Sequence, residues 1–277
     1  MAAYHVRSNS FPSRQHPLIS EFEDRLRSSV EASSPSTSIT SQLSGLQDLH
    51  DCVDKLLLLP LNQQALSREH NEKSLNEILD GSLRLLDVCN IAKDALLLTK
   101  ESTQELQSII RRRRSGETEL TSEIKKFLVS RKVMKKALRK GLENKRSITS
   151  LKKEQVSSEI VSMLREVESI AVAVFESLIS FISGPKSSSW SLVTKIMNTK
   201  RVVVEVVNES NEFTSADAVL NLLITRKVKK SDNSLEENVQ NQLQNLELCI
   251  QDLEEGVDSF YRRLIKTRVS LLNILNH

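Results

Sequence analysis

The reading of one stretch decides the fold: VQNQLQNLELCIQDLEEGVDSFYRRLIKTRVSLLNI, residues 239–274. Val239, Leu243, Leu246, Ile250, Leu253, Val257, Phe260, Leu264, Thr267, Leu271 and Ile274 follow one another in alternate steps of four and three. At 3.6 residues per turn, that spacing places every one of them on a single stripe of a helix, and a stripe this long has to be covered by other helices. Ser234-Leu-Glu-Glu237 has the spacing of a capping box ahead of it, and only Gly256 weakens its interior. The same chain is expected to supply the cover, because the preceding segments carry matching apolar faces; homo-oligomerisation through the 239–274 heptads is the alternative.

Working outward, the same periodicity recurs. Leu18, Ile19, Phe22, Leu26 and Val30 predict a helix over Leu18 to Ala32, which the turn formers of SSPSTS (33–38) end. Leu43, Leu46, Leu49, Val53, Leu56 and Leu57 predict a second, from Ile39 to Leu59, stopped by Pro60. A third begins between Ser67 and the capping box Ser74-Leu-Asn-Glu77 and runs to the arginines at 111–114, with a stripe wide enough for more than one neighbour. Helices are also expected over about Glu117 to Lys145 and from Thr149 to the Gly184-Pro185 break, and a short one from a capping box at Thr214-Ser-Ala-Asp217 to near Lys230. Between these last two, Trp190 is expected to pack into the bundle, and RVVVEVV (201–207) reads as helix because no second strand-like run exists to pair with it. With 6 glycines, 5 prolines and 4% aromatics in 277 residues, breakers and sheet formers are both scarce. The fold class is all-α: an elongated antiparallel helical bundle with long coiled-coil-like helices. A single bundle domain is expected over 18–277, preceded by a disordered N-terminal arm over 1–17.

Charge is segregated along this chain. QSIIRRRRSGETEL (107–120) opens a basic region, and from Arg111 to Lys153 sixteen Lys plus Arg face four Asp plus Glu, a local net of +12 where the whole chain is +3. Arg111, Arg112, Arg113, Arg114, Lys132, Lys135, Lys136, Arg139 and Lys140 form a candidate patch for an anionic partner: lipid, nucleic acid or an importin. An internal partner is equally in view, since Glu236, Glu237, Glu247, Asp252, Glu254, Glu255 and Asp258 make the first half of the last helix acidic, and it could lie along the basic one. No helix-turn-helix, zinc ligands or interleaved aromatics accompany the basic run, so sequence-specific nucleic-acid readout is not expected.

Chemistry leaves little trace. His5, His16, His50, His70 and His277 are scattered without metal-ligand or general-base spacing and read as lone surface residues. Cys52, Cys89 and Cys249 each sit in an apolar helical pattern, as small buried thiols of a reducing compartment rather than a disulfide set. GPKSSSW (184–190) lacks the second glycine and the Gly-Lys-Ser/Thr order of a phosphate loop. SIAVAVFESLISFIS (169–183) is the most apolar window, yet it falls short of a span and carries Glu176; a buried bundle helix is expected, with no transmembrane helix. No catalytic, cofactor or metal residues are assigned, and the chain is read as a nonenzymatic cytoplasmic protein, not secreted, with nuclear or peripheral membrane association as variants.

The arm holds a short motif. Arg7-Ser8-Asn9-Ser10-Phe11-Pro12 has the order Arg-Ser-x-Ser-x-Pro read by 14-3-3 proteins, with Ser10 as phosphate carrier: an extended segment offers a doubly charged acceptor, and Pro12 turns the chain away. YHVRSNSFPSRQHP (4–17), EFEDRLRSS (21–29), TSQLSGLQDLHDCVDKLLLLP (40–60) and DGSLRLLDVCNIAKDAL (80–96) resemble a plant-specific family related to the Bypass proteins, and the resemblance runs through the C-terminal heptads. It implies an all-helical protein of flowering plants, of a group associated with root and shoot development and with no established enzymatic activity or ligand, and it transfers no site residues. The leading functional expectation is a noncatalytic helical interaction protein; the alternative is a peripheral membrane protein docking on anionic lipid through 111–153.

Overall fold

The computed structural model describes residues 16–32, 37–68, 72–112, 117–146, 158–184, 211–225 and 233–276. Among these residues the elements are eight helices and no strand: α1 (Pro17–Ala32), α2 (Ile39–Leu57), α3 (Pro60–Ser67), α4 (Glu72–Arg112), α5 (Glu117–Arg146), α6 (Glu159–Ser183), α7 (Glu212–Thr225) and α8 (Asn233–Leu275). The 43 residues of α8 and 41 of α4 make rods about 60 Å long at 1.5 Å per residue. Their length sets the long axis of the bundle.

The seam of α8 is buried throughout: Val239, Leu243, Leu246, Ile250, Leu253, Val257, Phe260, Leu264, Thr267 and Leu271 are all in the core, and Ile274 packs against it. Its cover comes from the same chain, chiefly α4, α2 and α7.

Polar rungs beside the seam fix direction. Gln47 donates to the Gly256 carbonyl at 3.1 Å, Asp51 takes Arg263 at 2.9 Å, and Asp54 accepts from the Thr267 hydroxyl at 2.7 Å. Both numberings rise together, so α2 and α8 run parallel. On the other side Lys93 pairs with Asp258 at 2.7 Å and Lys100 with Glu254 at 2.6 Å, while Gln104 donates to Glu247 at 2.6 Å. There the numberings oppose, and α4 is antiparallel to α8. The α1–α2 pair (Arg25 to Asp48, Lys55 to Glu21) and the α4–α5 pair (Thr99 to Met134) are antiparallel hairpins by the same test, with Gly141 of α5 set against Ile91. Gly256 has a packing role: a Cβ there would meet Leu43 Cδ1 at 3.1 Å, so its absence lets α2 approach closely.

Several helix limits depart from the periodicity. Pro60 stops α2, as expected, but it also starts α3, because its fixed φ suits a first helical turn that has no use for its missing N–H. Leu66 of α3 is fully buried and the Ser67 hydroxyl caps the Ile274 carbonyl at the end of α8. Val30 faces solvent, 55% exposed, and Ser29 takes the inward place on α1. α7 starts before the expected capping box: Asn211 Oδ1 accepts from the Thr214 N–H at 2.9 Å, leaving Asp217 for other use. The expected early turns of α6 (149–157), Trp190, 201–207 and residues 1–15 of the expected arm lie outside the described residues, while Pro17, expected in the arm, opens α1.

His50 corrects the expectation of surface histidines. It is 4% exposed, stands edge-on to Phe260 with ring centroids 4.9 Å apart, and neither ring nitrogen has a hydrogen-bond partner among the described residues. Burial pushes its pKa down to about 4, outweighing the nearby Asp54 and Asp51 carboxylates, so it is a neutral core ring. In the unfolded chain the same imidazole takes up a proton near pH 6.5. Below that pH the unfolded state gains a proton that the folded state refuses, so stability falls as pH drops from 6.5 towards 4. Urea denaturation of wild type and His50→Leu should diverge accordingly: between pH 7 and 5 the wild type loses about 2 kcal/mol more than the variant.

Candidate anionic-partner face on α5

The basic helix α5 has two faces, and the cations divide between them. Ile124, Phe127 and Leu138 are buried against the core, with Leu120, Leu128 and Met134 partly so. Arg131 belongs to this inner face and is only 2% exposed. Its guanidinium stacks 4.9 Å from the centre of Phe213, donates to the Ile182 carbonyl at 3.2 Å, and pairs with Asp217 at 3.4 Å. Burial lowers its pKa, and the Asp217 carboxylate opposes that shift. Lys135 reaches the same carboxylate at 2.6 Å, and Arg139 donates to the Gly184 carbonyl at 3.1 Å.

These inward cations have a common job. The last carbonyls of a helix have no partner further along it and carry the negative end of its dipole. α6 ends with Gly184 in the left-handed region (φ 69°), and Arg131 and Arg139 from α5 satisfy the carbonyls exposed there. Two residues of the expected patch, Lys135 and Arg139, are therefore committed to the fold.

The outer face is different. Lys125, Lys132, Lys136 and Lys140 are exposed and make no ion pair with a described residue. Lys126 is held by Glu123 at 2.5 Å. Val129 and Val133 stand among these lysines, 62% and 64% exposed. Arg111 and Arg112 are exposed at the end of α4, with Arg112 Nε donating to the Ser108 hydroxyl at 3.1 Å. Arg113 and Arg114 lie outside the described residues, as do Arg7, Ser8, Ser10 and Pro12 of the arm motif.

The acidic half of the last helix does not cover this face. Asp258 and Glu254 pair with Lys93 and Lys100 of α4, Glu247 accepts from Gln104, and α5 makes no contact with α8. Apolar burial dictates this outcome: the α8 seam draws α2, α4 and α7 around it, and α5 is left packing on α4, α6 and α7. The lysine row remains unneutralised by the described fold.

No group of three or more His, Cys, Asp or Glu capable of holding a metal occurs among the described residues. Cys52 and Cys89 are buried and Cys249 is half-buried, all three as free thiols. Burial pushes Cys89 and Cys249 up to about 12, which keeps them protonated. The apolar window 169–183 is the core-facing part of α6, with Val174, Phe175, Leu178 and Ile182 buried. No described helix is long and apolar enough to cross a membrane.

A family model described as Protein BPS1 matches residues 42–274, well over half of the chain. The chain belongs to this Bypass-related plant family. The BPS1 match starts within α2 and ends in the last turn of α8, so it takes in the whole of α5. No curated protein matches the chain. No solved structure matches it either.

A buried cation that loses its counter-charge costs about 3–5 kcal/mol. Asp217→Asn should therefore lower the urea-unfolding free energy by about 3 kcal/mol, and adding Arg131→Met to it should give a combined loss well below the sum of the two single losses.

Proposed function

We propose that the protein is a noncatalytic helical interaction protein acting in plant root and shoot development, and that it takes an anionic partner on the outer face of α5. One observation carries the reading: Lys125, Lys132, Lys136 and Lys140 line an exposed face and pair with no acidic residue among the described residues. Membership of the BPS1 family supports the developmental role. Fixed cations held on a rigid helix attract an anion with little ordering penalty, and the attraction weakens as salt screens it. Base stacking gains no platform from α5, because Phe127, the aromatic residue of this helix, is buried on its inner face.

The full chain should be retained on immobilised heparin, a generic polyanion, and Lys125→Ala, Lys132→Ala, Lys136→Ala and Lys140→Ala together should bring it off at clearly lower salt. Elution at an unchanged position would remove the α5 face from consideration. The Arg111 to Arg114 run is tested in the same way, as an alanine set of its own.

A second contact is proposed for the arm, where phosphorylation of Ser10 in Arg7-Ser8-Asn9-Ser10-Phe11-Pro12 would create a ligand for 14-3-3 proteins. A phospho-Ser10 peptide is expected to bind a 14-3-3 protein at least tenfold more tightly than the unmodified peptide, about the value of one good charge-assisted contact. Equal affinities exclude it.

A further inference from the structure

We propose that the anionic partner of the α5 face is a membrane surface, with α5 lying flat on an anionic bilayer, Val129 and Val133 in the headgroup layer and the lysines over lipid phosphates. This rests on the reading of α5 just given and adds the chemical class of what it meets.

Three features of the face favour a lipid plane. First, the exposed cations between 125 and 140 are lysines, compact point charges on flexible stems, while the guanidinium groups of Arg131 and Arg139 are spent inside on Asp217 and on carbonyls. Lysine has no forked geometry for one carboxylate or phosphate and suits a diffuse sheet of charge. Second, the row from Lys125 to Lys140 extends for about 22 Å along one convex rod, which meets a plane of headgroups along its whole length. Third, Val129 and Val133 lie one turn apart on that face and are 62% and 64% exposed, so two branched apolar side chains stand together among the lysines. Lysine stems on either side of them can run along an apolar layer while the ammonium groups stay wet.

The magnitudes are sufficient. A lysine near an anionic leaflet improves partitioning by roughly fivefold, so four acting together give several hundredfold, and two partly exposed valines add a smaller factor that salt does not screen.

The test is vesicle flotation of the full chain, using phosphatidylcholine vesicles with and without about 30% phosphatidylserine at low salt. Wild type should float with the anionic vesicles and stay behind with the neutral ones. The four-lysine alanine variant should lose at least fiftyfold in partitioning. Val129→Ser with Val133→Ser should lose about three- to tenfold on vesicles while its heparin elution stays unchanged, since no charge is altered. These are surface positions, and unchanged circular dichroism confirms that each variant is folded. Wild type that fails to float, while heparin retention still depends on the four lysines, overturns the membrane and leaves an acidic protein as the partner. Flotation that neither the lysine nor the valine set reduces overturns it as well, by placing lipid contact elsewhere. Loss of lysine dependence in both assays discards this inference and the α5 reading together.

Discussion

The structure depends on one continuous apolar contact, the burial of the α8 seam against α2, α4 and α7. Seam residues from Val239 to Leu271 are withdrawn from water along a rod of 43 residues. Burying a Leu, Val or Phe side chain contributes about 1.5–3 kcal/mol before entropy is charged against it, so a seam of this length is a principal source of the fold's stability. Everything else is positioned relative to that rod. α6 fills the space among α2, α4 and α5, and α3 closes the end where α8 finishes.

Apolar stripes are nearly blind to direction and register, which polar pairs settle here. Gln47, Asp51 and Asp54 meet Gly256, Arg263 and Thr267 in ascending order, and Lys93, Lys100 and Gln104 meet Asp258, Glu254 and Glu247 in descending order. A slip by one helical turn would break all of these at once. Because the acids of α8 are used in this way, α5 has only Asp217 for Arg131 and Lys135, and its outer lysines keep their charge. The proposed lysine face is thus a by-product of how the core was assembled.

Much of this could be read in the residues, and the exceptions have physical reasons. Alternating steps of four and three located the α8 seam to the residue, since nothing in that segment competes with its pattern. α3 carries no signal beyond Pro60, which marks a stop for α2 and equally begins a new helix. The expected box at Thr214 gave way to Asn211, which caps α7 and donates to the Phe181 carbonyl at 2.7 Å. His50 was misjudged because a scattered histidine carries no periodic signal of its own, yet it follows Leu46 and precedes Val53 on the inward stripe of α2. The split of the basic patch did have a signal. Ile124, Phe127, Arg131, Met134 and Leu138 step by three and four, so Arg131 occupies a core position, and Lys135 and Arg139 flank it. What no spacing revealed was the α6 terminus that those cations serve, because it comes from a distant part of the chain.

The hold of Arg131 and Arg139 on the end of α6 has a mechanical consequence. Two long side chains that clasp the carbonyls of Ile182 and Gly184 make the basic helix and the most apolar helix a single riveted unit. Whatever grips the lysines outside is therefore joined, through one layer of guanidinium groups, to the greasiest part of the interior. The outer face is a handle fixed to the frame, and a tug on it is felt by the core without first having to unwind a loop.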